Sequence, residues 1–364
     1  MSQDQASLIF IPDITGFTQF VNQTEIKHGQ HIISELLEII INSNKLGLLV
    51  AEIEGDAVLF YLEKQLPTVD QLIDQAKEMF VNFHNHLLDY ETRRICRCGA
   101  CTSASQLSLK FIAHTGKIGF ITVHGKSKPY GAEIVTSHRL LKNDIDAAEY
   151  ILFSESFRPL LQDFKKEMLT FQEGSKEYPD IGLVRYTYSV LTPYREFFSK
   201  SKAPAPPPKV RNPLIKRIHI ERPMSEVYST LMDLDLRLLW NEGLDKLEFK
   251  QDRVNRVGTR HTCLFPVGEA DFTTVIAEFE ADSRVYGEEL EDPPFGRQLI
   301  IYYILSPEGE QTELRTELHF FPKPIIGWVM GPLLKFKFAK QLAKTLEALK
   351  KLSENHVSEP AIVI

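Results

Sequence analysis

The sequence predicts an α+β protein of two unlike domains, and three observations carry that expectation. Its 364 residues, 43% apolar and 25% charged, have globular composition, and about 100–200 residues per domain makes room for two cores. Residues 199–209, SKSKAPAPPPK, form a run poor in backbone donors and biased toward polyproline geometry, which marks a linker. Helix-like and strand-like periods alternate before that run, strands dominate after it, and no internal repeat relates the halves. The boundaries read as 1–198 for the first domain, 199–212 for the linker, 213–356 for the second domain and 357–364 for a tail.

In the first domain, the apolar run Leu8–Pro12 reads as a buried strand that ends at a turn over Asp13–Thr18. Ile33, Leu36, Leu37, Ile40 and Ile41 recur at helical spacing on one face, and Asn42-Ser43-Asn44 supplies a polar stop. Gly47–Glu52 and Ala57–Tyr61 flank the polar turn Ile53–Asp56 as a hairpin. A second helix over 69–90, strands over 107–113 and 117–124 and a helix over 132–141 complete the order βαββαββα, which predicts a ferredoxin-like core.

In the second domain, Ile215–Ile220 reads as a strand, Met224–Met232 as a short helix, and Phe272–Phe279 and Gln298–Leu305 as further strands. Leu314, Thr316, Leu318 and Phe320 alternate with Arg315, Glu317 and His319, the period of a sheet with one face on a core or cavity. A long helix over 332–353 carries the apolar stripe Phe338, Leu342, Leu346 and Leu349, and is expected to lie across a curved antiparallel sheet. Its lysines, among them Lys335, Lys340 and Lys344, read as a solvated face.

Charge and composition exclude several functions. With 42 Lys and Arg against 49 Asp and Glu, the net charge of -7 gives no overall positive field for a phosphate backbone, so no nucleic-acid partner is expected. The N-terminus lacks a basic stretch followed by an apolar core, and the apolar stretches near 32–41 and 324–334 are interrupted or short, so a cytoplasmic protein without integral membrane contact is expected.

Two groups of residues suggest metal chemistry. Asp13 at the end of a strand and Asp56 in a neighbouring hairpin turn offer hard carboxylate oxygens to Mg²⁺ or Mn²⁺; ordinary turn chemistry is the alternative. Cys96, Cys98 and Cys101 place soft ligands within six residues, and Zn²⁺ held with His84, His86 or His114 would complete a tetrahedron. Reduced or redox-active thiols are the other reading of the same cluster.

The ordered motifs FIPDITGFT (10–18), EIEGDA (52–57), HTGK (114–117) and YGAEIVTSHRL (130–140) resemble the class III adenylate and guanylate cyclase catalytic domain over roughly residues 7–195. The resemblance implies that Asp13 and Asp56 hold paired Mg²⁺ or Mn²⁺ around a triphosphate, and that Glu52 and Lys128 stand at the base-reading positions, Glu52 leaning toward guanine. It places Arg139 at the transition-state arginine, with Val135 where the companion asparagine should be, and Lys176 or Arg185 near the phosphate-binding lysine. It also implies a homodimer, because the family brings the metal aspartates of one domain to the arginine of another.

In the second half, Pro223–Tyr228, Trp240 and Val257–Thr259 resemble the START-like superfamily that includes polyketide cyclases, over roughly 213–356. That resemblance implies a helix-grip fold holding a hydrophobic small molecule, with Trp240, Phe265, Tyr302 and Trp328 as pocket residues; plain core packing is the alternative for each. The combined expectation is a two-domain sensor that binds a nucleotide or metal with cyclase activity weak or absent. The alternative is an active, guanylate-leaning purine nucleotide cyclase regulated by the second domain.

Overall fold

The computed structural model describes residues 6–161, 164, 168–199, 202, 204–266, 268–294, 296–324 and 326–355, with the side chains of 326–332 outside the description. The chain forms two compact units, Met1–Glu91 with Gly99–Ser201, and Thr92–Cys98 with Lys202–Ile364.

The first unit contains β1 (Ser7–Thr15), α1 (Phe17–Asn22), α2 (Ile26–Asn42), β2 (Leu49–Glu54), β3 (Ala57–Leu62), α3 (from Val69), α4 (Gly99–Ser103), β4 (Ser108–Gly116), β5 (Gly119–Val123) and β6 (Lys126–Tyr130). It continues with α5 (Ala132–Leu140), β7 (Tyr150–Ser154), α6 (Arg158–Leu161), β8 (Gln172–Tyr178) and β9 (Gly182–Val190). Its main sheet has the order β2-β3-β1-β4-β7-β9-β8, antiparallel except for the parallel β4–β7 pair. The portion β4-β1-β3-β2, with α2 and α3 as connecting helices, is the predicted ferredoxin-like core.

Strand β1 is buried along nearly its whole length because β3 and β4 flank it on both sides, and this is why its sequence reads as an unbroken apolar run. Two expectations are corrected here. β1 does not turn at Asp13: β4 pairs with it as far as Thr15 opposite Ser108, so Asp13 sits within the ladder. The strand expected over 117–124 does not join the main sheet, but pairs with β6 as a separate hairpin.

The second unit contains β10 (Leu214–Ile220), α7 (Met224–Met232), α8 (Arg237–Trp240), β11 (Lys246–Glu248), β12 (Arg260–Phe265), β13 (Gly268–Val275), β14 (Arg284–Glu291), β15 (Gly296–Glu308), β16 (Gln311–Pro322) and α9 (Ile326–Asn355). The strands form one antiparallel sheet in the order β10-β16-β15-β14-β13-β12-β11. Register assigns its faces. Tyr286, Glu288, Tyr303 and Thr316 share one side, and on the same side Phe320 meets Phe338 of α9 with ring centroids 5.6 Å apart. Val275, Val285, Ile300, Tyr302 and Ile304 cluster on the other. The end of the proline-rich run docks against that second face, where Lys209 Nζ lies 3.4 Å from the Phe279 ring centroid and the Val210 amide donates to His319 Nδ1 at 3.0 Å. Among the described residues no helix is long and apolar enough to cross a membrane.

Candidate functional site

A cavity of about 560 Å³ in the first unit is lined by Asp13, Asp56, Lys110, Val135, His138 and Arg139, among others. Three separate pieces of chain build it. β1 carries Asp13, the β2–β3 turn carries Asp56, and α5 presents Val135, His138 and Arg139 at the three- and four-residue spacing of one helix face. The turn depends on Gly55, whose φ of 65° is the left-handed geometry that glycine adopts without strain, and the Ile14 amide donates to the Asp56 carbonyl at 3.0 Å to hold the turn against β1.

Sequence reasoning missed Lys110. It faces Asp13 directly across the β1–β4 ladder, and its Nζ lies 2.9 Å from Asp13 Oδ2. Burial works to lower the Lys110 ammonium, but Asp13, and then Tyr150 and Asp56, more than offset this and raise it above the ordinary lysine range. Asp56 is pushed up to about 6, first by burial and then by the Asp13 charge, with Lys110 offsetting part of the shift. The cavity lining sets three carboxylates, Asp13, Glu54 and Asp56, beside three cations, Lys110, Lys142 and Arg139, and the oxygens of Asp13 and Asp56 are hard donors of the kind a divalent cation takes. The Asp56 carboxyl should titrate near pH 6, charged above and protonated below. Removing the neighbouring charge in Asp13→Asn should move its midpoint down, as read by carbon NMR of labelled aspartate.

At the rim, His138 Nδ1 lies 3.4 Å from Glu54 Oε2, and Glu52, Glu54 and His138 each place a ligand atom within 4.8 Å of the others. Burial, then a hydrogen bond with Glu52, raises the Glu54 carboxyl. Glu52 also meets Lys128 Nζ at 3.4 Å, so the two expected base-reading residues pair with each other. Arg139 donates from Nε and Nη2 to Asp180 Oδ2 at 2.9 and 2.6 Å. Val135 is 47% exposed and offers no polar group.

Two expectations about this region are corrected. Lys176 is paired with Asp144 and Arg185 with Glu155 at 4.0 Å; the cations that line the cavity are instead Lys110, Lys142 and Arg139. The expectation that Asp13 and Asp56 meet Arg139 only across a dimer interface also fails, because all three line one cavity of a single chain.

Cys96, Cys98 and Cys101 belong to one hexapeptide, and of the three Cys101 lies in the same unit as His28. Cys101 Sγ is 3.5 Å from His28 Nδ1 and 3.1 Å from the Tyr90 hydroxyl. The expected histidines are engaged elsewhere: His84 with Ser108 at 3.4 Å, His86 with Glu35 at 2.9 Å, and His114 with Ser154 and Glu133, both at 2.7 Å. His28 lies far from the cluster in sequence, so no local spacing could have identified it. Thiols with an imidazole are the ligand types that suit Zn²⁺.

In the second unit, Trp240 is fully buried and meets Tyr303 with ring centroids 6.3 Å apart on the helix-facing side of the sheet. Phe265 is partly buried at the end of β12, two residues beyond Cys263 and therefore on the same face. Tyr302, expected beside Trp240, points the other way into the cluster with Val285 and Ile304. A one-residue step along a strand reverses the face, and Tyr303 takes the position. The side chain of Trp328 lies outside the described residues.

A relative described as "Uncharacterized protein Rv2561/Rv2562" from Mycobacterium tuberculosis is 27% identical over 138 residues, covering 38% of this chain and 64% of its own length, so this chain spans less than two thirds of that relative. Among solved structures, the catalytic core of a rhodopsin-guanylyl cyclase with converted specificity, in complex with ATPalphaS, is similar at 17% identity with a TM-score of 0.39, covering 51% of this chain and 96% of that one. The adenylyl cyclase CyaB from P. aeruginosa is similar at 16% identity and a TM-score of 0.38, covering 55% and 97%. Norcoclaurine synthase from Thalictrum flavum, in complex with dopamine and hydroxybenzaldehyde, is similar at 16% identity and a TM-score of 0.34, covering 44% and 100%. By family profile, residues 33–150 match "Protein of unknown function (DUF2652)", and residues 215–354 match the family "Polyketide cyclase / dehydrase and lipid transport".

Proposed function

We propose that the chain is a cytoplasmic two-domain binding protein: its first unit binds a purine nucleotide through a divalent cation without cyclising it, and its second unit binds an apolar small molecule. The observation that supports the first part is the cavity that places Asp13, Asp56 and Lys110 together while Val135 stands at its wall and Asp180 already engages Arg139. The aspartates would hold Mg²⁺ or Mn²⁺, which supplies positive charge to a phosphate; Lys110 and Lys142 add cations beside it. Cyclisation builds charge on phosphoryl oxygens, and the loss of one oriented donor costs about 10²-fold or more in rate. Valine donates nothing at that position. Clustered thiols favour a reducing compartment. A homodimer rests here only on the general prevalence of twofold pairing, since the cavity residues meet within one chain.

Incubation with GTP and Mn²⁺ tests this reading. Binding of a fluorescent GTP analogue should require Mn²⁺, and mass spectrometry should find no cyclic GMP. Cyclic product that disappears in Asp13→Ala would establish the enzyme reading instead.

Three thiols within one hexapeptide, with His28 3.5 Å from Cys101, support a second assignment, a structural Zn²⁺. Protein purified without chelator should carry close to one zinc per chain, and the combined replacement of Cys96, Cys98 and Cys101 by serine should remove it. Metal-free protein with intact thiols would leave them as redox or packing groups.

A further inference from the structure

A cavity of about 400 Å³ lies wholly within the second unit, and Arg94, Arg97 and Arg284 line it together. Two of these arginines come from Thr92–Cys98, the short piece of the first half of the sequence that folds with this unit. That piece is held at several points. Arg94 pairs with Arg256 in an isolated antiparallel bridge, and the Val257 amide donates to the Arg93 carbonyl at 2.9 Å. The Tyr228 hydroxyl shares its hydrogen between the carbonyls of Ile95 and Val285, both at 3.2 Å. Tyr228 thereby ties the segment carrying Arg94 and Arg97 to β14, where Arg284 stands with its guanidinium 5.7 Å from the Tyr228 ring.

Charge in this cavity is not balanced. Elsewhere in the unit arginines are matched by carboxylates, as Arg237 is by Glu288, but among the described residues none of these three has an ion-pair partner. The Nε of Arg284 is buried and has no hydrogen-bond partner among the described residues. Two carboxylates also line the cavity. Arg315 already engages Glu280 through both oxygens, at 2.8 and 3.0 Å, which leaves exposed Glu278 against three guanidiniums. Two positive charges remain in excess, in a chain whose net charge is -7. A single exposed arginine is ordinarily just solvated; three that converge on one concavity, on a backbone fixed by Tyr228, are arranged in advance for an anion.

The size of the excess selects the anion. A phosphate monoester carries about two negative charges at neutral pH and presents three terminal oxygens, whereas a carboxylate carries one charge. Guanidinium forks match phosphate oxygens in pairs. Ile276 and Phe279 add apolar surface to the same lining. We propose that the second unit binds a phosphate monoester with an apolar substituent, its phosphoryl oxygens held by Arg94, Arg97 and Arg284. The cavity includes Ala277, Phe279 and Val285 of the cluster on the sheet face away from α9, and two of its arginines precede residues 215–354, so it is distinct from the space between α9 and the sheet.

Calorimetric titration of the full chain, in phosphate-free buffer without added divalent cation, tests this. Phenyl phosphate should bind about tenfold or more tightly than benzoate, the scale of added hydrogen bonds to charged donors. Arg97→Gln, at an exposed position, and Arg284→Gln should each weaken phenyl phosphate by about tenfold, and the double variant should bind it no better than benzoate. Manganese-dependent GTP binding by the first unit should be unchanged in Arg97→Gln. Sedimentation with vesicles of phosphatidylcholine and phosphatidic acid distinguishes the source of the phosphoryl group: capture that is lost in Arg97→Gln places it on a lipid, and wild-type protein left in solution places it on a soluble molecule. Equal affinity for phenyl phosphate and benzoate, or phenyl phosphate binding unchanged in an Arg97→Gln protein whose circular dichroism matches wild type, would overturn the inference.

Discussion

Asp13→Ala should abolish Mn²⁺-dependent binding of GTP and destabilise the first unit by about 3 kcal/mol, the lower end of the range for breaking a buried ion pair. The two losses have different causes. Under the proposed function binding fails because Asp13 and Asp56 would hold the cation together, and one carboxylate would not hold Mg²⁺ or Mn²⁺ against Lys110 in the same cavity. Stability falls because Lys110 Nζ, 2.9 Å from Asp13 Oδ2, is left largely buried without its counter-charge. The double variant Asp13→Ala/Lys110→Met should separate them, recovering most of the thermal stability without any binding. A unit of this size shifts by about 2–4 °C per kcal/mol, so a calorimetric scan reads the difference. If the single variant unfolds at the wild-type temperature, the Asp13–Lys110 pair contributes no more than an exposed surface pair.

Arg237→Met should be the most destabilising single substitution in the second unit, at about 3–5 kcal/mol. Glu288 would keep its Tyr286 hydrogen bond but lose the cation that balances its charge in an interior where it is 4% exposed. Neutral His261 cannot replace that cation near pH 7, since burial and then Arg237 hold it down to about 3; without Arg237 part of that depression is relieved. Glu288→Gln added to Arg237→Met should restore most of the stability, because the pair is removed as a unit and Tyr286 still finds an acceptor. Denaturant unfolding of the three proteins measures the coupling, and a double variant as unstable as the single would show that Arg237 acts through packing on Trp240 and not through charge.

Period and order determine much of this protein without a structure. The unbroken apolar run Leu8–Pro12, the helical stripe through Ile33–Ile41 and the turn at Gly55-Asp56 are local, and each reappears in β1, α2 and the β2–β3 turn. The alternation across 314–320 likewise became β16, one side toward α9. Asp13, Asp56, Val135 and Arg139 were legible as residues, through their motifs.

What they meet was decided only by tertiary register. Lys110 faces Asp13 because β4 pairs with β1 over the whole length of β1, a match between segments almost a hundred residues apart that no local spacing encodes. His28 reaches Cys101 in place of nearer histidines for the same reason. Tyr302 and Tyr303 are equally aromatic in sequence; the pleat alone sends one to the outer cluster and the other to Trp240. The buried Arg237–Glu288 pair carries no sequence signal at all, since its partners come from a short helix and a distant strand. Local sequence specifies which elements form, because propensity and period act over a few residues. Charge pairing in the interior depends on which elements become neighbours, and that is settled by how all the apolar faces of a unit are buried at once.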